Sequence, residues 1–310
     1  MELPNDLRKM HIVITGATSG IGFSTACALA KCGALVLGVG RSKEHIQQAK
    51  QQIFAENPQA RLLFFLTDLS SQRQVRNLAQ EITHSIELNG ENKLHALINN
   101  AGAVSTQFIK TEDGYELQFA VNHLAPFLLT HELLPLLQQT PESRVITVSS
   151  NTHRTMRIFW KDVMFRKGYT LLTAYMQSKL ANVLFTYEFN RRLGKNSSVK
   201  AYAADPGLVN TSLGSKGTSG LVSWAWSRHS RHGASPEKIG AEIAWLAVAP
   251  EVNTHVSAYW KHGQPVQPSS YAQREDVAAR LWELSERLCG INDPYVESDT
   301  IDHDPLVGGA

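Results

Sequence analysis

The chain has 310 residues, 43% hydrophobic and 19% charged, enough for one large globular domain or two modest ones with a sizeable core. Thirty basic residues against twenty-eight acidic ones leave a formal charge of +2, which gives no reason to expect nucleic acid or anionic lipid as a partner. Cys27, Cys32 and Cys289 form no CxxC pair, which excludes a disulfide scaffold and a cysteine-based zinc site and suits a reducing compartment. Residues 1–10 run straight into an apolar stretch without space for a signal peptide, and no apolar run reaches the length of a transmembrane anchor. The expectation is a soluble, cytoplasmic protein.

In chain order, β-branched runs alternate with helical stretches. HIVIT (11–15) predicts a strand, followed by a glycine-rich turn and a helix over 21–31. A strand over 35–39, a polar amphipathic helix over 42–56, a strand over 61–66 and a helix over 72–87 come next. Strands follow over 94–98 and 144–148, separated by a long helix over 117–138. A helix over 172–192, a strand over 199–204, a helix over 236–248, a short strand near 255–260 and a helix over 271–289 complete the pattern. Strands apolar on both faces, alternating with helices, imply an α/β doubly wound parallel sheet of about seven strands, a Rossmann fold. Its ligands belong at the carboxyl ends of the strands. No Pro/Gly/Ser linker divides the alternation, so 1–290 reads as a single domain and 291–310, acidic and glycine-ended, as a flexible tail.

The first strand opens into Thr15-Gly16-Ala17-Thr18-Ser19-Gly20-Ile21-Gly22. Glycines there let backbone approach a pyrophosphate, while the following helix N-terminus offers unpaired N–H groups and a positive dipole end. A glycine-rich turn without ligand is the plain alternative, but its place between first strand and first helix is the context a dinucleotide site requires. The spacing is TGxxxGIG, not GxGxxG, and with it the chain resembles the short-chain dehydrogenase/reductases. Asn99-Asn100-Ala101-Gly102, Ser150, Tyr175-Met176-Gln177-Ser178-Lys179 and Pro206-Gly207 match further family motifs in the family's order, from about residue 10 to 260. Within that family, VSSNTH (148–153) and AYMQSKLANVLFTYE (174–188) look most like the retinol dehydrogenase-like carbonyl reductases. The resemblance implies cofactor contacts from Gly16, Thr18, Ser19, Gly20, Ile21, Gly22, Asn100, Ala101, Gly102, Pro206 and Gly207. It also implies that Thr211 and the Val209 backbone bond the nicotinamide carboxamide.

An NAD enzyme of this fold usually carries an acid at the end of the second strand to hold the ribose 2′-hydroxyl. Here Gly40 is followed by Arg41 and Ser42, and a guanidinium beside a hydroxyl suits a 2′-phosphate, so NADP(H) is the expected cofactor. The alternative is a solvated loop arginine. Asp68 resembles the residue that accepts a hydrogen bond from the adenine amino group, and a helix-capping role is an equally physical reading.

Tyr175 and Lys179, four apart, share one face of a helix. A free tyrosine has a pKa of about 10, and a nearby ammonium, with the positive charge of an oxidised nicotinamide, favours phenolate and brings it toward working range. By the resemblance, Ser150 polarises the substrate carbonyl, Asn122 holds a proton-relaying water, and Lys179 also bonds the nicotinamide ribose. Alternation turns Ser149 away. Asn122 sits in an apolar helix where an unpaired amide would be costly, and a bond to a broken helical turn is compatible with its role. The reaction implied is hydride transfer between nicotinamide and a carbonyl, or the reverse from an alcohol.

Two segments, 151–170 and 208–233, leave strand ends and carry Met156, Phe159, Trp160, Met164 and Phe165, and Leu221, Val222, Trp224 and Trp226. They either line a pocket for a lipophilic substrate of retinoid, steroid or long-chain type, or pack the loops onto the sheet. A third reading makes 219–232 a weak membrane-surface contact. His229 and His232 lie among arginines without an acid nearby, which favours a solvated basic face and no metal site. The helix over 124–139 is apolar on more than one face. The resembling family often forms a homodimer there, although the longer C-terminus offers another cover. Two further functions are weighed. A non-catalytic NADP(H)-binding sensor or scaffold would not need the filled Asn122/Ser150/Tyr175/Lys179 set. Sugar-nucleotide epimerases use a YxxxK pair but usually TGxxGxxG and a larger C-terminal region.

Overall fold

The computed structural model describes residues 1–88, 92–209, 233–255 and 257–291. Strands β1 (His11–Thr15), β2 (Leu35–Gly40), β3 (Arg61–Leu66), β4 (Ala96–Asn99), β5 (Ser143–Val148), β6 (Val199–Asp205), β7 (Tyr259–Lys261) and β8 (Gln264–Pro265) form one sheet. Its order is β3-β2-β1-β4-β5-β6-β7-β8, all parallel except the β7–β8 pair. The chain winds outward in one direction from β1 and in the other from β4, so the crevice between these strands is the switch point where ligands of such sheets bind.

Both sheet faces are covered because both faces of the inner strands are apolar. Val13 points into a core shared with helices α3 (Gln72–Leu88), α4 (Ala125–Gln138), α5 (Leu171–Leu193) and α7 (Glu275–Cys289). Ile12 and Ile14 point into the opposite core, shared with α1 (Gly20–Lys31), α2 (Lys43–Glu56) and α6 (Pro236–Val248).

Four differences from the sequence expectation have local causes. The seven expected strands are joined by β8, two residues long and antiparallel, which no periodicity would reveal. The fourth strand begins at Ala96 rather than 94. The seventh starts only at Tyr259, after a 3-10 turn over Pro250–Thr254. The long helix over 117–138 is interrupted. A single α turn, Leu117–Phe119, leads into a π-helical turn, Ala120–Leu124, before α4 begins. Pro126 has no N–H to give the Asn122 carbonyl, so the α ladder cannot continue there, and Ala125 N–H instead reaches back to the Ala120 carbonyl.

The apolar outer face of α4 and α5 is covered from within the chain. Trp282 of α7 lies with its ring centroid 4.9 Å from Phe127 and 5.9 Å from Phe185, and Arg192 caps it at 4.8 Å. That is the C-terminal cover weighed against a homodimer. Of the expected tail, only Ile291 falls within the described residues.

Candidate active site

At the end of β1 the backbone turns through Gly16 (φ 69°) and Gly20 (φ 56°), both in the left-handed region that glycine alone enters freely. A Cβ on Gly22 would sit 2.3 Å from the Gly16 carbonyl oxygen and equally close to Asn100 Nδ2. Asn100 therefore reaches across from the end of β4, its Nδ2 donating to the Thr15 carbonyl at 2.9 Å. Thr15 Oγ1 accepts the N–H groups of Asn100 and Ala101, both at 3.0 Å. Thr15, absent from the expected site, thus clamps the β1 and β4 turns together. No acidic side chain occupies the first turn of α1, which leaves its own turn without a charge opposed to the positive end of the helix dipole.

Gly40 lets this turn close over the end of β2, since a Cβ there would meet Thr18 Cγ2 at 2.6 Å. Arg41 is exposed. Ser42 caps α2, accepting from His45 N at 3.2 Å, and its hydroxyl donates to Glu44 Oε2 at 2.7 Å. Asp68 is exposed and is not the cap of α3, which corrects one reading of the sequence. Its Oδ1 accepts the Ser70 N–H at 2.9 Å, while Ser71, closer to the helix start, accepts from Gln74 N at 3.2 Å.

Ser150 follows β5 in extended backbone, with its Oγ accepting the Thr152 N–H at 3.3 Å at the start of a 3-10 turn, Asn151–Thr155. Ser149 is turned away, donating to the Lys179 carbonyl at 2.8 Å. Tyr175 and Lys179 face the same region from α5, 9% and 3% exposed. Lys179 Nζ donates to the Val148 carbonyl at 2.9 Å and lies 5.6 Å from the Tyr175 ring centroid. Asn122 projects from the π turn. It holds Ala103 at both ends, Oδ1 accepting its N–H at 2.7 Å and Nδ2 donating to its carbonyl at 3.1 Å, and Nδ2 also reaches Ser178 Oγ at 3.0 Å. The expected bond to the broken helical turn is replaced by these. A Cβ on Gly102 would lie 3.5 Å from Asn122 Oδ1 and 3.9 Å from Lys179 Nζ, so Gly102 keeps open the corner these groups share.

The ionisation balance differs from expectation. Burial pushes the Tyr175 phenol up to about 12, a hydrogen bond with Ser150 works the other way, and the Asp205 carboxylate pushes it further up. Burial brings the Lys179 ammonium down to about 8. The lysine alone therefore does not bring the phenol toward neutrality, because desolvation disfavours both charged forms.

A family model described as short chain dehydrogenase matches residues 10–220, two thirds of the chain and a span that contains all five motifs. The protein is a short-chain dehydrogenase. This dehydrogenase is 36% identical to retinol dehydrogenase 14 of Mus musculus over 306 residues, covering 93% of this chain and 88% of that protein. It is 35% identical to retinol dehydrogenase 13 of Homo sapiens over 301 residues, covering 94% and 87%. Among solved structures, an uncharacterized protein from Mycobacterium paratuberculosis superposes with a TM-score of 0.71 at 32% identity, covering 93% of this chain and 96% of that one. The angucycline C-6 ketoreductase LanV with bound NADP superposes with a TM-score of 0.66 at 23% identity, covering 84% and 96%, which is a likeness of fold. The short-chain dehydrogenase is thus an oxidoreductase of the retinol dehydrogenase-like branch.

After β6, Gly207 (φ 67°) donates its N–H to Asp205 Oδ1 at 2.9 Å, and Val209 pairs with Ala234. Thr211, Leu221, Val222, Trp224, Trp226, His229 and His232 lie outside the described residues. In the 151–170 segment, Met164 and Phe165 are buried in the core and Met156 and Trp160 pack against it, with Arg280 of α7 4.2 Å from the Trp160 ring. Phe159 alone of the five is exposed, stacked on Phe165 at 5.7 Å. Packing, the alternative reading, accounts for most of this segment's apolar side chains. Gln177, inside the YMQSK motif, ties the segment down by accepting Phe159 N–H and donating to the Val163 carbonyl, both at 2.8 Å. No sequence signal singles Gln177 out, because the same helix also carries Ser178, Lys179 and Asn182.

Proposed function

We propose that this short-chain dehydrogenase interconverts a carbonyl and the corresponding alcohol of a lipophilic substrate with NADP(H), using Tyr175 as general acid or base. The observation that carries the reading is the convergence of Asn122, Ser150, Tyr175 and Lys179 beside the glycine turn, at the carboxyl ends of β4 and β5. The residues present fit a dinucleotide. The Gly16–Gly22 turn and α1 N-terminus suit its pyrophosphate, and the opening kept by Gly102 beside Lys179 suits its nicotinamide end. When bound, the dinucleotide supplies or accepts the hydride. Tyr175 gives the matching proton to the carbonyl oxygen in reduction, or takes it from the alcohol in oxidation. Ser150 orients that oxygen, and Lys179 and Asn122 hold the route by which Tyr175 regains its proton.

The choice of NADP(H) rests on Arg41 and Ser42 after β2 and on Gly40 standing at the strand end in place of an acid, with Glu44 further on engaged by Ser42. LanV, of the same fold, carries NADP. The lipophilic substrate class rests on the relatives' names, both retinol dehydrogenases, more than on the 151–170 segment. No described helix is long and apolar enough to cross a membrane. A cytoplasmic setting is supported by the free thiols of Cys27, Cys32 and Cys289. A screen of retinaldehydes, long-chain aldehydes and ketosteroids with NADPH and NADH tests the reading. Turnover of at least one lipophilic carbonyl, preferring NADPH, is expected. No NADPH oxidation above background with any of them contradicts it.

A further inference from the structure

We propose that Asp205 is a positioning residue for the reaction, holding the Ser150 end of β5 and the Pro206-Gly207 turn in one arrangement through Tyr259 and His153. The inference rests on the reading of Tyr175 and Ser150 as catalytic and extends it to a layer of side chains behind them.

Asp205 ends β6 with its carboxylate fully buried. Among the described residues its polar contacts are with donors: Gly207 N–H to Oδ1 at 2.9 Å, the Tyr259 hydroxyl to Oδ2 at 3.0 Å, and Lys261 Nζ at 3.5 Å from Oδ2. Such a cage is built for an ion. Tyr259, on the neighbouring strand β7, lies edge-on to His153 at 5.0 Å between centroids, with its hydroxyl 3.5 Å from His153 Nδ1. The His153 tautomer follows from its partners. Nε2 faces the Ser269 N–H at 3.1 Å and must accept, so Nδ1 carries the proton and donates to the Ser150 carbonyl at 2.8 Å. A second proton on Nε2 would face the Ser269 donor, and burial holds the ring's pKa below its ordinary value.

A chain of buried polar contacts therefore runs from the Gly207 turn through Asp205, Tyr259 and His153 to the backbone of Ser150, spanning three adjacent strands. The charge at its centre also pushes the Tyr175 phenol up. Among the described residues, the other charged or titratable groups around this region are Lys179 and Tyr187 on α5, Lys261 on β7, Arg154, 5.9 Å from the Tyr259 ring, and His262 beside Gly207, paired with Glu242 at 3.7 Å. Asp205 is the carboxylate that bears on the phenol.

Asp205→Asn keeps the shape, removes the charge and leaves one acceptor oxygen for three donors. Tyr259→Phe removes the hydroxyl that bonds Asp205 Oδ2 and touches His153 while leaving the Asp205 charge in place. Turnover of an aldehyde with NADPH is measured from pH 6 up to the highest pH above 11 at which the folded fraction is unchanged, together with KM and NADPH affinity. Asp205→Asn is expected to lower kcat about tenfold with KM little changed. Its alkaline limb is expected to move to lower pH by about one unit, because a phenol freed of that carboxylate ionises more readily. Tyr259→Phe is expected to lower kcat without moving that limb. The proposal is overturned by native kcat and an unmoved limb in Asp205→Asn, or by a loss of activity that follows the folded fraction alone. A Tyr175→Phe control separates the two claims. If it keeps native turnover, the catalytic reading fails and the inference with it; if it is inactive while Asp205→Asn is native, only the inference fails.

Discussion

Tyr175 and Lys179 are each held toward the neutral form by burial, one pushed up to about 12 and the other down to about 8. Their spacing on one helix face was readable from the sequence, as were the glycines of the turn, because both are local patterns. Thr15 and Asp205 were not, since their partners lie far along the chain at Asn100 and Tyr259. At the cofactor end, Arg41 is exposed and Ser42 is engaged by Glu44, so a 2′-phosphate there would meet one cation and one nearby acid. Arg41→Asp is therefore expected to weaken NADPH binding at least about tenfold by removing a charge-assisted contact and adding repulsion, while NADH affinity is unchanged or improved. Fluorescence titration of both cofactors checks this. Equal losses for the two would mean that Arg41 serves the fold and not the phosphate.

Among the elements, the interrupted helix before α4 is the least readable from sequence. Its apolar pattern continues through the break, and only Pro126 hints that the Asn122 carbonyl loses its donor. The break turns Asn122 toward Ala103 and buries His123 between Phe119 and Phe127. Ser285 of α7 gives its proton to the Leu281 carbonyl at 2.8 Å, so His123 Nε2 must be the donor in its 2.9 Å contact with Ser285 Oγ. Burial holds the ring's pKa down at about 4, with Asn182 working weakly the other way. Below pH 6.5 the unfolded chain takes up a proton that the native state refuses until about 4. The stability is complete above 6.5 and is lost as pH falls toward 4, by up to roughly 3 kcal/mol. His153, lowered by burial too, adds a slope of the same sign. Denaturant unfolding at pH 7.5 and 5 should show His123→Gln losing less stability on acidification than the parent. An equal loss in both would remove His123 from this account.

At the scale of the whole molecule, the alternation of apolar strands and helices specified the parallel sheet and its switch point. The eighth strand and the seat of the last helix depended on tertiary packing that no local window contains. Trp282 of α7 takes up the apolar face of Phe127, Phe185 and Phe189 within one chain. The native protein is accordingly expected to sediment as a monomer. Trp282→Ala should lower stability by about 2–3 kcal/mol and promote self-association through the uncovered rings. A native dimer joined through this face would contradict the arrangement.

The central claim is that Tyr175 moves the proton that accompanies hydride transfer. Single-turnover reduction of a lipophilic aldehyde by NADPH, compared between the parent and Tyr175→Phe with NADPH affinity measured on the same samples, tests it most directly. Nearly unchanged NADPH affinity is expected, because the glycine turn and Lys179 remain, with a rate at least about a hundredfold lower for want of the acid. A Tyr175→Phe enzyme that binds NADPH normally and reduces the aldehyde at close to the parent rate would contradict it.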